Sequence, residues 1–296
     1  MADARILDRS YRSYDGPRTG LIGSMRTVAV HSMRHALGIK RRHGAKVIPV
    51  LTIMLAYVPA IVFVGMVALF KSVVLREDIL PTYAEYYSYI SAAIFVFSAF
   101  VTPELLCPDR RSGLLGMYLA SPLDRNTYLL SKAIAVTAIL SLVTIGPLLL
   151  ILLSYTILGQ GPDSPLHWLI TLGRIVAGGL CVAALHTSLS LAIASTTTRK
   201  AAAAAVIILT LVGSLIITGV LVFEAELSVY FQLFNFLGLP FESVLRIFGE
   251  RTGNRGDEGY RLNEIPAAVT IGANMAWTFF FAAFVWFRYR RITVTK

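Results

Sequence analysis

Glu104, Asp109, Arg110, Arg111, Arg125 and Lys132 crowd into one short stretch, ELLCPDRRSGLLGMYLASPLDRNTYLLSK, between long runs that carry no ionisable acid or base. Such groups suit ion pairs and charge-assisted hydrogen bonds with a second protein surface. Bond-making chemistry lacks its parts. The five His are scattered, neither H-E-x-x-H nor G-x-S-x-G occurs, and no cluster of metal ligands can be read from the spacing. There is no G-x-x-x-x-G-K-S/T phosphate loop either, and the Gly-rich tract at 253–259 lacks the Lys. The chain therefore reads as having no catalytic site and as binding no cofactor.

Within the stretch the backbone signals define an elbow. Pro108 is expected to end the helix before it, Asp109, Arg110 and Arg111 to present charge to water, and Ser112-Gly113 to allow a sharp turn. Leu114, Leu115, Tyr118 and Leu119 then share an apolar helical face that stops at Ser121-Pro122. A short helix with one apolar face and charged ends fits a groove on a partner. A merely solvated loop is the plainer alternative.

The elements that hold this elbow are set by composition. With 56% hydrophobic and only 15% charged residues, the chain has too little charge to cover a soluble surface. Runs without Asp, Glu, Lys or Arg occupy 47–70, 86–103, 133–160, 175–198, 201–223 and 265–287. A helix needs about 20 residues to cross the hydrocarbon core. The expectation is an all-α integral membrane protein with six spans near 47–70, 86–106, 129–158, 168–195, 201–223 and 266–287. The first run begins after Lys46 and is of full span length, unlike a cleaved leader.

Orientation follows from Lys and Arg. Ten precede the first span, and the loops and tail that share its side bring that side to twenty, against six on the other, with Arg174 inside the fourth span. Both termini are then expected in the cytoplasm, the elbow with them. The net charge of +10 is an orientation signal, and no nucleic-acid partner is expected, because basic residues hug span ends without an aromatic-basic pattern. Cys107 and Cys181 cannot build a disulfide framework and read as inert thiols.

Residues 1–23 read as a flexible lead and 24–45 as a basic amphipathic helix on the inner membrane surface, with Met25, Val28, Ala29, Met33, Ala36 and Leu37 on one side. A charge anchor without mechanical role is the alternative. Residues 224–264 are apolar, broken at Gly238 and Pro240, and read as two short re-entrant or interfacial helices followed by a mobile loop. A seventh crossing there would carry the basic tail, 288–296, to the wrong side. Glu242 and Arg246 sit one helical turn apart and read as a surface pair, and His186 with Ser190 as core hydrogen-bonding groups.

The run DRRSGLLGMYLASPLDRNTYLLSK resembles the signature of the ABC type-2 permease family: an acidic-basic-Gly turn, a Leu-rich stretch, a small-residue-Pro step and a basic residue before the third span. Asp109, Arg110, Arg111, Ser112, Gly113, Leu115, Leu119, Ser121, Pro122, Arg125 and Lys132 fill those places, with Asp109 where the family often has Glu. The resemblance implies a type V exporter architecture in a prokaryotic cell membrane, with the 107–125 elbow, together with Glu104 and Tyr118, as a coupling helix. It implies partners too: two separate nucleotide-binding ATPase subunits that hold ATP and Mg, a second permease copy, and membrane lipid. It also points to spans two and five as the substrate path, which here means Phe95, Phe97, Ser98 and Phe100 with Thr210, Ser214 and Thr218, although such polar stripes often serve helix packing. A hydrophobic or amphipathic drug, lipid or peptide would suit that path.

Other classes remain. An ion-coupled transporter would place carboxylates within its spans, and none of the uncharged runs holds one. A non-transporting subunit of the same build, used for sensing or mechanical work on the envelope, would carry the same elbow.

Overall fold

The computed structural model of the protein describes residues 20–39, 44–74, 80–119, 123–251 and 261–291. Residues 1–19 of the lead, 252–260 of the loop and 292–296 of the tail lie outside the described residues. In lipid each backbone N–H and C=O needs an internal partner, so apolar runs of this length resolve as helices. The described helices are α1 (Gly20–Ala36), α2 (Gly44–Val74), α3 (Tyr86–Val96), α4 (Pro103–Arg111), α5 (Leu114–Leu119), α6 (Arg125–Thr144), α7 (Gly146–Ile157), α8 (Pro165–Ala194), α9 (Lys200–Gly219), α10 (Leu239–Phe248) and α11 (Ala267–Arg290). Six continuous stretches are long and apolar enough to cross a membrane: Gly44–Phe70, Tyr86–Arg111, Arg125–Ile157, Pro165–Ala194, Lys200–Glu224 and Ala267–Arg290.

Three boundaries differ from the sequence reading. The second span joins α3 to α4 through a π-turn, Phe97–Val101, and continues past Pro108 to Arg111. Proline removes one backbone bond, but Asp109 and Arg110 both gain tertiary partners that hold the last turn in place. The third span starts at Arg125, because Asp124 caps it by accepting from Thr127 N at 2.8 Å. It then breaks between α6 and α7, where Pro147 cannot donate and Gly146 leaves room for the Tyr57 ring. The Tyr57 hydroxyl donates to Leu142 O at 3.1 Å beside the break. The fourth span begins at Pro165 behind the cap Ser164, which accepts from His167 N.

Lipid offers no hydrophobic drive for helices to associate, so close approach and hydrogen bonds must hold the bundle. Ala56, Ala60, Ala93, Ala135 and Ala183 are all fully buried at helix contacts. Tyr86 donates to Ala56 O at 2.6 Å, tying α3 to α2, and Thr144 donates to Gly179 O at 3.1 Å, tying α6 to α8. Helix α1 starts at Gly20, four residues before Ser24, and its stripe of Val28, Ala29, Ser32 and Ala36 is covered by α6 and α4. Of the apolar face expected on the membrane surface, Val28, Ala29 and Ala36 are buried against protein, while Met25, Met33 and Leu37 are half-buried.

The segment after span five forms a 3-10 turn, Val229–Phe234, and then α10, which ends at Gly249 in the left-handed region. Gly249 and Glu250 donate back to Arg246 O and Leu245 O, closing the helix. This segment and the first turn of α11 gather at the end of the bundle opposite α1.

Candidate functional site

The elbow is built from the end of α4, the turn at Ser112-Gly113, helix α5 and the start of α6. Gly113 stands at φ 71°, a conformation that favours glycine. Arg111, Ser112, Gly113 and Leu114 are exposed at its tip. Pro122 lies outside the described residues, and so do the side chains of Leu115 and Leu119.

Asp109 does not present its charge to water. Its carboxylate meets Lys132 Nζ at 2.8 Å and accepts the Tyr128 hydroxyl at 2.7 Å, with the two ionic side chains only 12% and 4% exposed. The Lys132 ammonium also lies 5.8 Å from the Tyr118 ring centre and 5.6 Å from that of Tyr128. Those two rings are 5.4 Å apart and tilted by 38°, and the Tyr289 ring of α11 lies 6.3 Å from that of Tyr128, tilted by 33°. Burial first, and the Asp109 carboxylate second, push the Tyr118 phenol above its ordinary pKa. A lysine two turns inside a membrane-facing helix needs a counter-ion, and the end of α4 supplies it.

Arg110 is likewise turned inward. It donates to Ser195 O and, at 3.3 Å, to Thr197 O, where its guanidinium fills carbonyls left open by the end of α8. Glu104 pairs with Lys200 at 3.2 Å in a half-exposed position, joining α4 to the start of α9. Arg125 donates to Arg290 O at 2.7 Å, Trp286 Nε1 to Asn126 Oδ1 at 3.0 Å, and the Arg290 guanidinium lies 4.6 Å from the Trp286 ring. At the cap, hydrogen bonds from Thr127, side chain first and then backbone, hold the Asp124 carboxyl below its usual range.

The expected elbow residues thus divide. Asp109, Arg110, Glu104 and Arg125 fasten it to α6, the α8–α9 turn, α9 and α11, while Arg111, Ser112, Gly113 and Leu114 stay exposed. Tyr128, Lys200, Ser195 and Thr197 escaped the sequence reading. Only Lys132 carried a signal, as an isolated cation leading an uncharged run.

The expected path residues do not converge on one space. Phe97 and Ser98 are buried in the bundle, whereas Phe100 is 41% exposed. Each hydroxyl of the α9 stripe returns a bond to its own helix: Thr210 to Val206 O, Ser214 to Leu211 O and Thr218 to Ser214 O. Ser214 also accepts from Phe236 N, and Thr218 meets Gln232, so the stripe binds the segment that follows the fifth span. A cavity of about 660 Å³ opens instead at the far end, lined by α3, the end of α9, the π-turn Val220–Glu224 and α10. None of Phe95, Phe97, Ser98, Phe100, Thr210, Ser214 and Thr218 lines it. There Arg246 donates to Asn263 Oδ1 at 3.1 Å and to Leu262 O at 3.0 Å. His186 Nδ1 contacts Val182 O at 3.0 Å, and Ser190 Oγ is buried without a partner among the described residues.

An all-helical bundle with six apolar crossings and a charged elbow between the second and third defines a multi-pass membrane protein. A family model described as ABC-2 family transporter protein matches residues 70–287, and the chain belongs to that family. It is a permease subunit of an ABC transporter, of the kind that works with ATP-binding subunits. A comparison with curated proteins finds no match.

Proposed function

We propose that this chain is the membrane half of an exporter for a hydrophobic or amphipathic substrate, with both termini and the elbow in the cytoplasm of a prokaryotic cell. Two copies, or one copy and a related permease, enclose the pathway, and two separate ATPase subunits hold ATP and its magnesium. The observation that carries this reading is the division of the elbow into a fastened base and an exposed tip. The base is bonded to α6, the α8–α9 turn, α9 and α11, so a push on the tip reaches the third, fourth, fifth and sixth spans together. A loop hung only from its own two helices would yield instead of transmitting. Closure of the ATPase pair on nucleotide would move the tip, and the buried pair Asp109–Lys132 would carry that displacement into α6 as a rigid unit.

Vesicles reconstituted with the permease and its ATPase subunit test the proposal. Arg111→Glu with Leu114→Asp changes only exposed side chains, so insertion and thermal stability stay at wild-type values while ATP-driven substrate flux is lost. Unchanged flux in the double variant contradicts docking at the tip.

A further inference from the structure

Spans two and four meet along a seam whose register is fixed by bonds at both ends. At one end the Tyr87 hydroxyl donates to Ile175 O at 3.5 Å, 88 positions on. At the other, Cys107 Sγ lies 3.8 Å from Ala194 O and Arg110 donates to Thr197 O, each 87 positions on. Eleven residues past the first contact on both spans, about three helical turns, the same two faces bring Ser98 level with His186, and one turn further Thr102 is level with Ser190. All four side chains are 1% exposed or less, and Ser98 Oγ, Thr102 Oγ1, His186 Nε2 and Ser190 Oγ find no hydrogen-bond partner among the described residues. Many hydroxyls of the bundle return a bond to their own helix, as Thr52, Ser131, Ser188 and Ser195 do. These three do not. The backbone adds a fifth group: in the π-turn Phe97–Val101, Thr102 N donates to Phe97 O at 3.3 Å and Pro103 has no N–H, so neither residue that would close the next turn on Ser98 O donates to it.

Polar groups left without partners in a low-dielectric interior are costly, and here five of them gather at one level of two packed spans. Their donor and acceptor roles select what satisfies them. His186 Nδ1 is 3.0 Å from Val182 O, which only accepts, so Nδ1 carries the proton and Nε2 offers a lone pair. Ser98 O is an acceptor as well. The occupant must therefore donate to two acceptors and still accept from hydroxyls. An ammonium has no lone pair to accept with, and it would stand as an uncompensated charge, since the runs 86–103 and 175–198 that hold these residues contain no carboxylate. One imidazole with hydroxyls is too few strong ligands for a zinc-like metal. Water has two protons to give, two lone pairs and no charge, and when buried it typically makes about three hydrogen bonds. We infer that ordered water is bound in this seam, donating to His186 Nε2 and Ser98 O and accepting from the hydroxyls. The Phe241 ring lies 6.3 Å from that of His186 and also lines the cavity at the far end, so exchange with the outside runs past that ring. Water held here joins the span that ends in the elbow to the fourth span, between their direct contacts, and stands whether or not the chain is an exporter.

X-ray hydroxyl-radical footprinting of the full chain in nanodiscs, read by mass spectrometry, tests this. A bound water is split in place and oxidises its neighbours, whereas a scavenger removes radicals that arise in bulk solvent. His167, exposed near the start of α8, is the reference for bulk solvent. With scavenger, oxidation of His167 is expected to drop by about tenfold or more while His186 keeps most of its rate, and Ser98→Ala with Ser190→Ala is expected to cut the His186 rate by about fivefold or more. Thr102→Ser, which keeps the hydroxyl, is expected to leave the rate in place, and Thr102→Val to lower it. No oxidation of His186 in the wild-type chain, a loss in parallel with His167, or an unchanged rate in the double variant would each overturn the assignment. Comparison of the two histidines needs no variant, so it decides even where a substituted chain does not insert.

Discussion

Replacing Lys132 by Met removes one member of a buried ion pair and strands the other. At 2.8 Å the pair attracts by about 6 kcal/mol at an effective dielectric near 20, and burying two ions opposes most of that gain. The consequence for a single change is larger than for the pair, because Asp109 would remain buried with only the Tyr128 hydroxyl as partner. Loss of one partner from such a pair costs about 3–5 kcal/mol, while replacing both by apolar groups of like size is near neutral. Denaturant unfolding in mixed micelles is therefore expected to show Lys132→Met and Asp109→Leu each destabilised by about 3–5 kcal/mol. The double variant should recover most of the loss, giving a coupling energy of at least about 2 kcal/mol. Because the double variant lacks the rigid link, it should fold and insert but transmit poorly, with ATP hydrolysis continuing as flux falls. Single variants that each cost under about 1 kcal/mol and add in the double would refute the fastening of the elbow to α6.

Further expectations follow from packing and titration. A side chain at Gly179 would overlap Ile145, so Gly179→Ala should lose about 1–3 kcal/mol in the same assay, whereas Gly173→Ala, with open space around it, should be neutral or mildly stabilising. Burial, and then the nearby Glu85 carboxylate, raise the pKa of Glu250 against the opposing Thr82 hydrogen bond and Arg174 charge. The folded chain thus holds this proton more tightly than the unfolded chain, and stability falls as pH rises from about 4.5 through the raised value. Glu250→Gln should flatten that slope, and an unchanged pH profile would refute it. Asp124 has the opposite sign: its lowered pKa gives stability that is present above the ordinary carboxyl value near 3.8 and fades as pH falls below it. Asp124→Ala should remove that acid-side loss and fray the start of α6, read as faster amide exchange at residues 125–128.

Much of the scaffold was legible because the bilayer imposes a simple rule. Long apolar runs must be helical, so six crossings followed from counting uncharged residues, but counting misses ends set by local chemistry, such as Pro165 behind the cap Ser164, which starts the fourth span ahead of the expected residue 168. Contacts across the fold were not legible. Asp109 and Lys132 are separated by 23 positions, and nothing in their spacing says that α4 brings one beneath the other. The same holds for Arg110, whose partners are carbonyls of a turn some 85 positions later. Pro108 misled for a related reason, since local propensity marks a stop that tertiary bonds on the next turn override. The hydroxyl stripe of α9 was visible by period, but its bonds to Gln232 and Phe236 depend on how the following segment folds back. The two π-turns leave no mark in the residue pattern, and one of them shapes the cavity wall.

Site-specific photo-crosslinking in the native complex tests the central claim most directly. A photoreactive residue at Ser112, on the exposed tip, should capture the ATP-binding subunit and do so more strongly when nucleotide is bound, while the same residue at Asp163, at the far end of the bundle, should not. Capture at Asp163 without capture at Ser112, or an active complex in which the tip contacts no ATP-binding subunit, would contradict the account.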